Sequence, residues 1–147
     1  MKLKGKKAVV TGGASGIGKA IAQAFAREGA DVVLFDLNAE VAGQVAAAIT
    51  SAGGGRAWAV TCDVGYADAV RQAFQQADQL LGGLDILVNN AGIIRNSPIV
   101  EMPEADWDLI LRNNLKSVFL CSQEAARRLI AQRRGGRGLP GLPFVQR

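Results

Sequence analysis

Residues 8–18 read AVVTGGASGIG: a short apolar run, a glycine cluster, then the first residues of a helical pattern. A glycine cluster alone describes only a flexible turn. Its surroundings make this one informative. Ile17, Ala20, Ile21, Ala24 and Phe25 follow at i, i+3, i+4, i+7 and i+8, which predicts an amphipathic helix carrying that apolar stripe. The order is therefore strand, glycine turn, helix.

The same alternation continues outward. The runs DVVLF at 31–35, AWAV at 57–60 and DILV at 85–88 are short, apolar and bounded by turn residues, as buried parallel strands are. Val41, Val45, Ala48 and Ile49 predict a second helical stripe, and Val70, Ala73, Phe74, Ala77 and Leu81 a third. Gly29, the glycines at 53–55 and those at 82–83 end these helices. Alternating β and α predicts a doubly wound parallel sheet with helices on both faces, in the order 3-2-1-4. A longer helical pattern then runs over 103–132. Trp107, Ile110, Leu111, Leu115, Val118 and Phe119 form its stripe, and Glu104 and Asp106 sit in its first turn, where the helix dipole favours acids.

That order gives the glycines a chemical meaning. Without a Cβ, a backbone can approach a phosphate closely. A helix starting near Ile17 then aims free N–H groups and its positive end at a diphosphate. Asp36 closes the second strand, eighteen residues after Gly18. A carboxylate there can accept both hydroxyls of an adenosine ribose, and it repels a 2′-phosphate. No Arg or Lys stands beside it at Leu37 or Ser15 to welcome that phosphate, so the expected cofactor is NAD rather than NADP. Asp36 can also be read as a turn or helix-capping residue, a role for which Asn38 competes. Asp63 and Val64 end the third strand, and Asn89, Asn90, Ala91 and Gly92 end the fourth, both on the edge where open α/β sheets bind ligands.

The 147 residues fit one domain, and the composition, 49% hydrophobic and 20% charged, is that of a globular protein. The net charge of +4 comes from the end of the chain. Six arginines and no acid lie in 127–147, and the eleven bases and thirteen acids elsewhere leave the body at −2. That argues against nucleic acid as a partner. Cys62 and Cys121 stand apart, outside any metal-ligand spacing, which suits a reduced, cytoplasmic protein with no metal. No run approaches the length of a membrane span.

Together, Thr-Gly-x-x-x-Gly-Ile-Gly at 11–18, Asp36, Asp63-Val64, Asn89-Asn90-Ala91-Gly92 and NNLKSVF at 113–119 resemble the short-chain dehydrogenase/reductase family over about residues 5–134. The resemblance implies a Rossmann-type dinucleotide-binding domain over 1–134. It implies that Gly12, Ser15, Gly16, Ile17 and Gly18 hold the pyrophosphate and nearby ribose, Asp36 the adenosine ribose, and Asp63 with Val64 the adenine. Asn90, Ala91 and Gly92 would line the path to the nicotinamide. Asn114 corresponds to the family's active-site asparagine, which interrupts the helix and supports a water relay to a catalytic lysine. On the residues alone, Asn114 falls on the stripe of Ile110, Leu111 and Leu115, where a buried amide needs hydrogen-bond partners; backbone alone can supply them. The family interconverts secondary alcohols and ketones, and the loose likeness of NNAGIIRNSP extends to members acting on sugars, sugar acids or 3-oxoacyl groups. Its members pair as homo-oligomers through the helix at 103–132, so Val118, Phe119, Leu129 and Ile130 are expected to form an exposed patch.

The family's acid/base pair is Tyr-x-x-x-Lys. The single tyrosine here is Tyr66, and position 70 is Val70. No histidine can substitute, and no serine follows residue 122. Where a fifth strand is due, the chain has Gly138, Leu139, Pro140, Gly141, Leu142 and Pro143, a composition unsuited to a central strand. The expectation is an irregular Gly/Pro/Arg tail over 135–147, a C-terminally truncated domain such as a frameshift would leave, and a chain that binds cofactor but is inactive alone. The open alternatives are a non-catalytic NAD-binding module and a non-functional fragment.

Overall fold

The computed structural model describes residues 1–132; the tail expected over 135–147 lies outside them. Strands β1 (Lys7–Thr11), β2 (Asp31–Asp36), β3 (Ala57–Thr61) and β4 (Ile86–Val88) form one parallel sheet in the order β3-β2-β1-β4. Helices α1 (Gly16–Arg27), α2 (Ala39–Ser51) and α3 (Ala67–Leu81) make the crossovers. The chain steps outward from β1 through β2 to β3, then returns to the far side of β1 as β4. A crevice opens at such a reversal, outside the strand ends.

The central strands are buried on both faces, so their sequences are continuously apolar rather than alternating. Val9, Val33 and Phe35 face α3 and the C-terminal helix. Ala8, Val10, Val32 and Leu34 face α1 and α2. The stripe read for α3 is buried at all five positions, and Phe74 meets Phe35 edge-on at 5.1 Å.

The stripe read for α1 needs correction. Ile17 is 74% exposed, whereas Gly18, Ala22 and Ala26 are buried and Ile21 and Phe25 only partly so. The helix lies so close to the sheet that its contact row must be small. In α2 likewise, Val45 and Ile49 are buried with Ala42 and Ala46, while Val41 and Ala48 face outward.

The long helix expected over 103–132 is interrupted. It runs as α4 (Glu104–Leu111), one π-helical turn (Arg112–Lys116) and α5 (Ser117–Ala131). Gln132 fastens its end to the approach to β4, accepting from Leu84 N and donating to Leu84 O, both at 2.7 Å. Among the described residues β4 pairs only with β1, and Val118, Phe119, Leu129 and Ile130 are exposed as expected.

A charge cluster joins α5 to α3. Arg128 donates to both oxygens of Asp78 at 2.8 and 2.9 Å and to Glu124 at 2.7 Å, and its guanidinium lies over Phe74. Burial pushes the Glu124 carboxyl up. The Arg128 hydrogen bond and the charges of Arg128 and Arg127 outweigh that and hold it below its ordinary 4.5. Asp31, beside Arg56, is lowered by the same opposition of burial and pairing. Folded values below the unfolded ones mean that this stability is complete above the unfolded pKa and drains as pH falls through the folded one. The melting temperature should therefore drop as pH falls below about 4.5, and Glu124→Gln should flatten that drop. Parallel profiles for the variant and parent chains would contradict this.

Candidate functional site

A cleft of about 380 Å³ opens at the C-terminal ends of the strands. β1 delivers Gly12, Ser15, Gly16 and Ile17 to it, and β2 delivers Phe35, Asp36 and Leu37. β3 adds Cys62, Asp63 and Val64, and β4 adds Asn90, Ala91, Gly92 and Ile93. Asn113 closes it from the π-helical turn.

The glycine turn is built around positive φ at two points, 64° at Gly12 and 51° at Gly16, which side chains rarely adopt. Ser15 caps α1 without committing its hydroxyl to a capping hydrogen bond, and the first turn of α1 holds no acid. The hydroxyl and the positive helix end are thus available to an anion.

Gly18 behaves differently. It is buried and absent from the cleft lining, and a Cβ there would stand 2.1 Å from Gly12 O and 2.5 Å from the Asn90 amide nitrogen. Packing between α1 and the end of β1 is by itself enough to require glycine here.

Thr11 organises the floor. Its Oγ1 accepts from Asn90 N and Ala91 N, each at 3.0 Å, and donates toward Val88 O. Asn90 returns the contact, its amide donating to Thr11 O at 3.0 Å and Gly12 O at 3.2 Å. The amide of Asn90 is therefore engaged in joining β4 to the glycine turn. Asn89 points elsewhere, to Ser122 Oγ.

The two acids lie in the cleft wall. Asp36 accepts from Ala14 N and Asn38 N, each at 3.0 Å, while the capping role at α2 goes to Asn38, which accepts from Val41 N. Asp63 accepts from Gly65 N at 2.9 Å. Burial first and Asp63 second push the Cys62 thiol up to about 12, which disfavours the thiolate. Cys121 is raised to about 12 by burial and then by Cys62.

Asn114 departs from the sequence reading. It is exposed rather than core-facing, and it does not line the cleft. It lies in the π-helical turn, between Leu111 and Leu115, and these residues of the expected stripe are exposed as well. From there it brackets the chain after β4, accepting from Ile93 N and donating to Ile93 O, both at 2.8 Å. Those backbone bonds are the alternative that the sequence left open, made at the surface. Gly92 packs beside it, since a Cβ there would come within 3.3 Å of Asn114 Oδ1. Tyr66 lies outside the cleft, half-exposed, with the Arg112 guanidinium 4.8 Å from its ring centre. Sequence reasoning missed Phe35, Leu37, Cys62, Ile93 and Asn113 as lining residues. Each sits next to a residue already singled out, and the ligand-side strand ends were the available signal.

The match to known proteins is decisive for kinship. The family model described as short chain dehydrogenase matches residues 6–137. The chain belongs to the short-chain dehydrogenase family. Among its relatives, the D-threitol dehydrogenase of Mycolicibacterium smegmatis is 44% identical over 130 residues, covering 88% of this chain and 49% of that protein. The 3-oxoacyl-[acyl-carrier-protein] reductase FabG of Aquifex aeolicus is 38% identical over 135 residues, covering 92% and 54%. A crystal structure of a short-chain type dehydrogenase/reductase from Mycobacterium marinum superposes with a TM-score of 0.87 at 39% identity, over 92% of this chain and 54% of that one. The chain thus spans about half the length of these relatives. The family uses NAD(P) cofactors, and the parallel sheet flanked by helices is shared with its solved members. Among the described residues no helix is long and apolar enough to cross a membrane.

Proposed function

We propose that residues 1–132 form the NAD-binding part of an oxidoreductase that interconverts a secondary alcohol and a ketone. The observation that carries this reading is the shared cleft: the uncommitted N-terminus of α1 and the carboxylate of Asp36 open into one space, with no Lys or Arg among the described residues of its lining. A diphosphate fits the first, a ribose diol the second, and a 2′-phosphate meets only like charge. In this reading Gly12, Ser15, Gly16 and Ile17 face the pyrophosphate, and Leu37, Asp63 and Val64 the adenine. Ala91 and Gly92 face the nicotinamide side. Gly18 and Asn90 hold the turn in place, and Asn114 steadies Ile93. When bound, the cofactor supplies the hydride acceptor; these residues bind and orient it. The names of the relatives, a threitol dehydrogenase and a 3-oxoacyl reductase, support a polyol, sugar or acyl ketone as the substrate class. The exposed Val118 and Phe119 on α5 suit a homo-oligomeric contact, and the paucity of cysteine suits the cytoplasm.

We further propose that the 147 residues alone bind NAD without turnover, because they contain no Tyr-x-x-x-Lys pair. Calorimetric titration with NAD and NADP tests both halves. Saturable NAD binding is expected, with NADP weaker and Asp36→Ala about tenfold weaker for NAD, the loss of roughly one charge-assisted hydrogen bond. NADP binding tighter than NAD, or no saturation by either, would refute the cofactor assignment. NADH formation from any secondary alcohol by the chain alone would refute the second half.

A further inference from the structure

We propose that Asp36 is a positioning residue for the diphosphate turn, setting its shape before any ribose arrives. The inference rests on the NAD-binding reading and goes beyond it. A carboxylate whose task was ribose recognition alone would wait in the cleft with its oxygens free. Instead Asp36 Oδ2 accepts from Ala14 N at 3.0 Å, inside the glycine turn, and Oδ1 accepts from Asn38 N at 3.0 Å. Asn38 in turn caps α2 through Val41 N. One side chain therefore ties the turn after β1 to the end of β2 and the start of α2.

The tie is placed where the turn has least other support. Gly12 N and Gly13 N are held by Phe35 O at 2.7 and 3.4 Å, and Gly12 O accepts from the Asn90 amide. Ser15 and Gly16, the residues nearest the helix start, are exposed, and beside Gly16 a Cβ would meet nothing within 4 Å. Ala14 lies between these held and open ends. It is 5% exposed, so its N–H has little access to water and takes Asp36 as its acceptor. An ionised carboxylate offers about four lone-pair sites, and the two backbone donors leave about two for a ribose diol. Both roles can be served together. It follows that removing Asp36 to admit a 2′-phosphate also loosens the turn, so Asp36→Ala should not become a good NADP binder.

Two ligand fragments and one amide separate the roles. Inorganic pyrophosphate probes the turn without a ribose, adenosine probes the ribose without a phosphate, and exchange of the Ala14 amide in the free chain reads the tie directly. In Asp36→Ala, and in Asp36→Leu, which fills the space without an acceptor, Ala14 exchange should quicken about tenfold and pyrophosphate bind about fivefold more weakly, as expected for an orphaned buried donor. Asp36→Asn keeps one acceptor oxygen for Ala14 and should stay within about twofold of the parent on both readouts. Unchanged Ala14 exchange and pyrophosphate affinity in Asp36→Ala and Asp36→Leu, with only adenosine weakened, would overturn the proposal. If the parent chain takes up neither NAD nor adenosine, the NAD-binding reading fails by itself, and Ala14 exchange still decides the tie.

Discussion

Gly18→Ala is expected to cost about 3 kcal/mol or more of unfolding free energy, although Gly→Ala inside a helix ordinarily gains about 0.5–1 kcal/mol. The reversal comes from one distance. The added Cβ would lie 2.1 Å from Gly12 O and 2.5 Å from the Asn90 amide nitrogen. Gly12 O is main chain and is anchored through Gly12 N to Phe35 O, so neither the turn nor α1 can yield alone. Relief requires lifting α1 off the sheet, which opens the contacts of Ala22 and Ala26 as well. Gly43, on the exposed side of α2, supplies the contrast, because a methyl group added there would meet nothing within 4 Å. Gly43→Ala should stabilise by the ordinary helix increment. Denaturant melts of the two variants read the result, and equal effects of the same sign would show that packing at Gly18 is not what selects glycine.

The same residue marks how far the sequence could be read. Short apolar runs bounded by turn residues and period-3.6 patterns identified every strand and helix of the sheet region, because a doubly wound sheet repeats one strand–helix unit. They placed the buried face of α3 correctly, where large side chains fill the space above β2. For α1 they pointed to Ile17, and the structure turns that residue outward. A hydrophobic stripe assumes that the largest apolar residues are buried. Where a helix touches a sheet at backbone distance, the buried row is the smallest, here Gly18, Ala22 and Ala26. Spacing carries no measure of that distance.

The candidate site was legible in kind and not in detail. Glycines before a helix, and polar residues at the strand ends, identified the cleft and most of its lining. The hydrogen-bond partnerships within the site were hidden. Nothing local in Asp36 discloses that its carboxylate accepts from Ala14, twenty-two residues away, and nothing in NNL discloses that Asn114 brackets the backbone of Ile93. Such pairings depend on which strand ends become neighbours, a property of the closed sheet rather than of any segment.

Thr11→Val should rank next in effect, and it tests the most heavily used hydroxyl of the site. The replacement keeps the shape and apolar volume of the side chain, so any loss reports the oxygen. Thr11 is 2% exposed, and its Oγ1 accepts from both Asn90 N and Ala91 N at 3.0 Å. Valine leaves two part-buried N–H donors unpaired, each costing about 1–3 kcal/mol, so a total loss of about 2–4 kcal/mol is expected after partial relaxation. Relaxation has a direction. The freed donors can reach water only by moving residues 90–92 into the cleft, where the Asn90 amide also holds Gly12 O. Stability and NAD affinity should thus fall together in Thr11→Val. Thr11→Ser, which keeps the oxygen and loses a methyl group worth about 0.8 kcal/mol, should preserve affinity. A Thr11→Val chain that melts like the parent would mean that the two donors find other partners, and the strand-to-turn clasp would then rest on the Asn90 side chain alone.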